Sequence, residues 1–356
     1  MGALADDSRL AGSESERHGV NTVYVDLAAL FNDIETPVHV AGEGAYFSAL
    51  PVSGLERHRI AKDAHGAPAV LISVADAGSS SRPAPIVLKN LTVEHNVDCR
   101  ISRPAETAEV GRFTVVRCTG SDPALRHYFL RVAATMLQSL GAVPSSSGIS
   151  QAVSRLAELF HAMTEPPRKS LQGLWAELFV IAQANDPVTL AGAWHTAPED
   201  LYDFSLGNQR IEVKSARGRV RRHFFTLEQL NPPPGMKLVI ASVLIEASGE
   251  GVSLVELLEQ IRVQLSGRAD LMLRVEKVVG LTLGESWRHA IEERFNYRLA
   301  EESLSFYEPE QIPQISSDIP SEVSEVRFRS DLTGQHPADT TSLRATQGLI
   351  RSALRN

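Results

Sequence analysis

From about residue 22 to 118 the chain runs in short valine-rich stretches where apolar and polar residues alternate: TPVHVAG, YFSALPV, APAVLISVAD, APIVLKNLTVEHNVDCRIS and GRFTVVRCTG. Period-two alternation broken by Gly, Pro, Ser and Asp predicts antiparallel strands. Gly78-Ser79-Ser80-Ser81, with prolines after it, predicts a surface loop. Beyond residue 120 the period changes. PALRHYFLRVAATMLQSLG (123–141), ISQAVSRLAELFHAMTE (149–165) and KSLQGLWAELFVIAQAN (169–185) space their apolar residues three and four apart, as one helix face does. VPSSSG separates the first two helices, and Ser170, after Pro166-Pro167, is the expected N-cap of the third.

LYDFSLGNQRIEVKSA (201–216) then predicts a hairpin, followed by HFFTLEQL (223–230) and the breaker Pro232-Pro233-Pro234-Gly235. KLVIASVLIEA (237–247) is a continuous apolar run, the pattern of a buried strand, and SLVELLEQIRVQL (253–265) is an amphipathic helix. Further on the pattern predicts one helix around 285–294, strands near 295–307 and at 322–329, and a polar end that is partly helical. No internal repeat occurs. The order α-β-β-β-β-α through the middle predicts a mixed α/β (α+β) unit. The expected division is a disordered terminus at 1–20, a β-rich N-terminal domain at 21–120, helices leading into an α/β core at 121–270, and a mixed extension at 271–356 packing on that core.

The hairpin carries the chemistry. Gly207-Asn208 closes a tight turn, Gly supplying positive φ. Leu206 then faces Gln209, Ser205 faces Arg210, Phe204 faces Ile211, and Asp203 faces Glu212. Opposed side chains share a face, and Lys214, two residues past Glu212, shares it too. The other face holds Tyr202, Phe204, Leu206, Ile211 and Val213, an apolar stripe that needs a core. Two carboxylates opposed on one sheet face repel, and a divalent cation is the obvious compensation.

Composition narrows the setting. The chain of 356 residues is 43% hydrophobic and 22% charged, which fits a soluble globular protein large enough for two domains. A net charge of −8 argues against coating nucleic acid through bulk charge, while leaving room for a local basic groove. RIEVKSARGRVRR (210–222) supplies one, with six Lys/Arg and one Glu. It reads either as a solvated loop or as phosphate contacts through Arg217, Arg219, Arg221 and Arg222, with Gly218 as a hinge. The two cysteines, Cys99 and Cys118, form no metal-binding pattern and are expected as free thiols in a reducing cytoplasm. The N-terminal sequence has no apolar leader core, and no run of about 18 apolar residues occurs, so neither secretion nor a membrane span is expected. No GxxxxGK[ST] loop is present, so no ATPase motif accompanies the hairpin.

Asp203 and Glu212 offer carboxylate ligands for Mg²⁺, with the backbone carbonyl of Val213 as a further ligand. Mg²⁺ keeps several waters and accepts few protein carboxylates, so a sparse set suits it. Mn²⁺ is expected to substitute. Lys214 would sit near the attacking water or the phosphate. Glu177 lies on the third helix beside Leu174, Leu178 and Ile181, so it is expected to face the sheet as a further ligand or a water-holding acid. His223 reads either as a proton-transfer or phosphate-binding group or as a core-edge histidine. The three tryptophans are expected to be packing residues, and His195, next to Trp194, is given no role.

The set Glu177, Asp203, Glu212-Val213-Lys214 resembles the PD-(D/E)XK nuclease superfamily, although Tyr202 stands where the motif's Pro would precede the Asp. Trp194, Ser215-Ala216 after the lysine, His223 and Gln229-Leu230 narrow the likeness to a bacterial branch of it, domain of unknown function 4420. Specific motifs are confined to about 173–230. The resemblance implies a restriction-endonuclease-like core with a mixed central sheet flanked by helices. It also implies metal-dependent cleavage of DNA, in restriction or phage defence. Gln229 matches a glutamine that some branches use to support the site or touch DNA, and Ser215 is a second support residue. A double-strand cut would need a homodimer or partner proteins of a defence operon. The alternative is an inactive nuclease-fold subunit that binds DNA or scaffolds a defence complex.

Overall fold

A short helix, α1 (Leu27–Asn32), capped by the Asp26 carboxylate, precedes the valine-rich strands β1 (Ala45–Val52), β2 (Leu55–Asp63), β3 (Pro68–Ser73), β4 (Ile86–Val87), β5 (Leu91–Ser102) and β6 (Glu109–Cys118). The computed structural model describes residues 26–37, 45–74, 83–102, 108–195, 200–315, 319–320 and 322–355. The expected N-terminal tail, most of TPVHVAG and the 78–81 loop lie outside the described residues. Neighbouring strands pair antiparallel in the order β1-β2-β3-β6-β5-β4, and β1 also pairs with β5 in parallel. That parallel pair, unforeseen in the alternation, closes β1, β2, β3, β6 and β5 into a barrel. Because side chains alternate, the wall has two apolar faces. Phe47, Ala49, Ala61, Ala69, Leu71, Ile101 and Phe113 fill the bore, with alanines on three successive strands letting the wall close on small side chains. Val52, Ile60, Val70, Val93 and Val116 point outward and join the main core.

That core is made by helices α2 (Pro123–Leu140), α3 (Ser146–Ala162), α4 (Leu171–Gln183) and α5 (Pro187–Ala193), then by two helices further along the chain. Ser170 caps α4 by accepting from the Gly173 N–H at 3.2 Å. Every residue from Leu174 to Ala182 is buried, so α4 is wrapped on all sides rather than lying on the surface. Each such large apolar side chain contributes about 1.5–3 kcal/mol by leaving water, which makes α4 a rigid platform for whatever it carries.

The hairpin strands are β7 (Phe204–Leu206) and β8 (Gln209–Arg217), followed by β9 (Arg222–Thr226), α6 (Leu227–Leu230), β10 (Lys237–Ile245), β11 (Ala247–Ser253), α7 (Leu254–Gln264) and α8 (Ala269–Leu283). The remainder comprises α9 (Trp287–Glu292), β12 (Arg294–Phe295), α10 (Tyr297–Ser303), β13 (Ser305–Tyr307), β14 (Arg327–Asp331), α11 (Thr340–Ala345) and α12 (Leu349–Ala353). β7, β8, β10 and β13 form a mixed sheet in the order β13-β10-β8-β7, with β8 and β10 parallel and the outer pairs antiparallel. One face packs on α4 through Phe204, Ile211, Val213, Val239 and Ala241. The other packs Leu238, Ile240 and Tyr307 against Phe225 of β9, which pairs with β14 as a separate two-stranded ribbon.

Helices α2, α7 and α8 are joined by a buried ionic cluster. Glu276, with no exposed surface, receives Arg262 Nη2 at 2.8 Å and lies 3.6 Å from Arg131 Nε. Among the described residues no helix is long and apolar enough to cross a membrane. The whole is a mixed α/β fold with sheets of mixed orientation.

Candidate active site

The turn sets the register. Gly207 has φ of +54°, and Phe204, Ser205 and Leu206 pair with Ile211, Arg210 and Gln209, the pairing expected from the sequence. The ladder stops at Phe204, however, and residues 201–203 form a bend. Period-two alternation therefore does not reach Tyr202. Its ring crosses to the opposite core with Leu238 and Ile240, and its hydroxyl donates to the Glu228 carbonyl at 3.2 Å. Leu206 is exposed at the hairpin tip, so the predicted stripe is reduced to Phe204, Ile211 and Val213.

Leaving the ladder frees Asp203. Its carboxylate accepts the Val213 N–H at 2.8 Å through one oxygen and the Lys169 ammonium at 2.9 Å through the other. The same ammonium lies 2.9 Å from Glu177 Oε1 on α4 and 3.3 Å from His195 Nε2. The second Glu177 oxygen meets the Trp194 indole N–H at 2.8 Å and His195 Nε2 at 3.2 Å. His195 is fixed in turn by donating its backbone N–H to the Asp203 carbonyl at 2.8 Å, next to a bridge between Trp194 and Phe204. Ligand atoms of Glu177, His195 and Asp203 all lie within 4.8 Å of one another.

Glu212 and Lys214 occupy the adjoining part of β8. Their side chains pair at 2.7 Å, and Gln229 spans both, donating to Glu212 at 2.7 Å and accepting from Lys214 at 3.1 Å. Gln229 also closes the capping box of α6 with Thr226. Ser215 Oγ accepts from Gln172 on the first turn of α4 at 3.0 Å, and Gln172 accepts from Arg217 at 2.8 Å. Arg219 is exposed, while Arg222 pairs with Asp331 at 2.8 Å. Arg221 and His223 turn inward instead. The Arg221 guanidinium donates to the Ser242 carbonyl and hydroxyl at 2.9 and 2.8 Å and to the Ser303 carbonyl. His223 is buried with Nε2 2.8 Å from Ser242 Oγ. His223 is closed off from solvent, and the half-buried Arg221 has its guanidinium engaged by these oxygens.

Three buried carboxyls share too little positive charge. Burial pushes Asp203 well above the usual carboxylate range, reinforced by the charges of Glu177 and Glu212. Burial also raises Glu212 despite the neighbouring Lys214. For Glu177 burial acts in the same direction, but hydrogen bonds and charge from His195 and Lys169 outweigh it and hold the group low. Burial opposes the charge on Lys169, yet Asp203 and Glu177 together keep it firmly protonated. One ammonium thus serves two acids, and burial raises Asp203 and Glu212 despite their lysine partners. A divalent cation fits that deficit.

Lys169 and His195 escaped the sequence reading. Lys169 precedes the cap of the helix that carries Glu177, and His195 adjoins a buried Trp. Those are weak signals, since both reach the site through tertiary packing rather than shared strand parity. Trp175 and Trp287 pack as expected, and Trp194 combines packing with its bond to Glu177.

A mixed sheet flanked by a buried helix, with acids converging beside a Glu-x-Lys strand, makes this a mixed α/β protein with a clustered acidic site. Residues 28–333 match the family model described as "Putative PD-(D/E)XK family member, (DUF4420)", and the chain belongs to that family. No curated protein and no solved structure matches it.

Proposed function

We propose that the protein is a Mg²⁺-dependent DNA endonuclease of PD-(D/E)XK type, with Mn²⁺ able to substitute, serving bacterial restriction or phage defence in the cytoplasm. The observation that carries this reading is the convergence of Glu177, His195 and Asp203 within 4.8 Å beside the Glu212–Lys214 pair. Carboxylate oxygens suit a hard divalent cation such as Mg²⁺ or Mn²⁺. Asp203 and Glu177 would hold the ion. Glu212 and the Val213 carbonyl complete the set, which requires Glu212 to turn away from Gln229. When bound, the ion polarises phosphate oxygens and acidifies a coordinated water. Lys214 positions that water or neutralises charge on the phosphorus centre, and Gln229 holds Lys214 in place. Arg217, Arg219 and Arg222 supply sequence-independent phosphate contacts.

In this reading the β7-β8-β10-β13 sheet with α4 is the restriction-endonuclease-like core of a 121–270 unit. The β-rich unit spans 21–120, and the 271–356 extension packs on the core. Cutting both strands calls for a homodimer or a partner from a defence operon. A second reading, an inactive subunit that binds DNA or scaffolds a complex, draws support from Lys169, whose ammonium already bridges the two acids.

Purified protein incubated with supercoiled plasmid and Mg²⁺ separates the two. We expect nicking or linearisation, abolished by EDTA and reduced about 100-fold or more by Asp203→Ala and by Lys214→Ala. Cleavage that survives both substitutions sinks the proposed chemistry. DNA retention without cleavage by the wild type favours the inactive subunit.

A further inference from the structure

The β9–β14 ribbon turns two different faces outward and inward. His223, Phe225, Phe328 and Ser330 lie against the core or its edge, while Arg222, Phe224, Arg327 and Arg329 face solvent. Phe224 is half exposed, and it is the one exposed Phe, Tyr or Trp among the described residues. It stands directly opposite Arg329 in the ladder. The guanidinium carbons of Arg327 and Arg329 lie 4.6 and 5.9 Å from its ring centroid. Among the described residues neither guanidinium forms an ion pair, and the only carboxylate on this face, Asp331, is taken by Arg222.

Burying an aromatic ring is worth a few kcal/mol, so folding alone gives no reason to hold Phe224 in water between two unpaired arginines. Nucleic-acid strands meet both needs at once: a base offers a π-face to the ring, and its flanking phosphates meet the guanidiniums. A paired base inside a duplex hides its faces in the stack, so the ring favours an unpaired one. The ribbon is also close to the chemistry. Phe225, the next residue and on the ribbon's inner face, has its ring 5.3 Å from Lys214 Nζ, so the outer face that carries Phe224 lies one strand thickness beyond it.

We propose that Phe224, with Arg327 and Arg329, forms a stacking platform for an unpaired base, so that the favoured substrate is DNA with a single-stranded segment next to the duplex. This rests on the nuclease reading for its choice of partner and deepens it by naming the substrate class.

The test is binding in EDTA, where no cleavage occurs, of fluorescently labelled duplex with and without a single-stranded tail. We expect the tailed DNA to bind the wild type about tenfold more tightly than the blunt duplex, the order of one base–aromatic stack. Phe224→Ala should erase that preference and leave blunt-duplex affinity unchanged. Phe224→Trp should retain it, and its exposed indole should be quenched on adding tailed DNA. Arg327→Ala with Arg329→Ala should weaken binding to both DNAs and flatten the salt dependence. Equal binding of the two DNAs by the wild type, or a preference that persists in Phe224→Ala, overturns the platform. Failure to bind either DNA overturns it as well. Tight, Phe224-dependent binding of tailed DNA without Mg²⁺-dependent cutting overturns only the nuclease reading. Cutting in which Phe224→Ala treats tailed and blunt DNA as the wild type does overturns only the platform.

Discussion

His223 sits at the end of a run of arginines in sequence, yet its imidazole is buried against Ser242. Burial, with the nearby charges of Lys214 and Arg221, pushes its pKa down to about 4. Between that value and the ordinary imidazole range the unfolded chain binds a proton that the folded chain refuses. Acidification through that window therefore favours unfolding, with a total loss of about 3 kcal/mol once pH falls below the folded value. Urea titrations from pH 7 to 4 should register that loss. His223→Gln, which keeps a donor toward Ser242 but cannot titrate, should flatten the profile by the same amount. At this scale the site was unevenly legible. Glu212 and Lys214 stand on one strand whose parity can be counted, Asp203 lies in the bend just before its partner strand and is located by the turn register, and Glu177 lies among apolar helix positions that must face inward. Lys169 and His195 follow no such periodicity. Arg221 looked like surface charge because sequence cannot show that Ser242, Ser303 and Ser305 would enclose it.

Among elements, the hairpin is the most strongly specified, because its turn demands one residue type. A Cβ on Gly207 would meet nothing within 4 Å, so substitution there is opposed by conformation alone. Gly207→Ala should cost about 1–2 kcal/mol in unfolding free energy. It should also loosen the register that brings Asp203 to the Val213 N–H, seen as faster hydrogen exchange at Val213. The helices with a wide apolar face, α2, α3, α4 and α7, were legible to within a few residues. α8 was not: Val275, Val278 and Val279 are poor local helix formers, and burial against α2 and α3 decides the matter. β2 was missed for a related reason. LERHRIAKD carries few apolar residues, and tertiary packing alone buries its polar ones: Arg59 and Asp63 share the bore-facing parity of Ala61, while His58 is covered outside the wall by the end of α2, its Nε2 2.9 Å from the Gly141 carbonyl. α5, with Asp186 capping and Pro187 at its start, had a readable signal that went unread.

For the whole molecule, the join between α2, α7 and α8 turns on one carboxylate. Glu276→Ala would leave the buried Arg131 and Arg262 with only the partly exposed Glu259 as a carboxylate partner and should cost about 3 kcal/mol in urea unfolding. Replacing all three with apolar side chains of similar volume should recover most of that loss. The barrel offers a way to watch how such a loss spreads. Cys99 points into its bore and Cys118 toward the helices outside; both are free, and burial raises their thiols to about 12 and 11. Two silent sulfurs on opposite sides of one wall act as separate clocks. A thiol-reactive dye reaches Cys118 when the helical layer lifts away, and Cys99 only when the staves themselves part. Matched labelling rates would mean that both layers open in a single event, and an earlier Cys118 would mean that the barrel outlasts its seat.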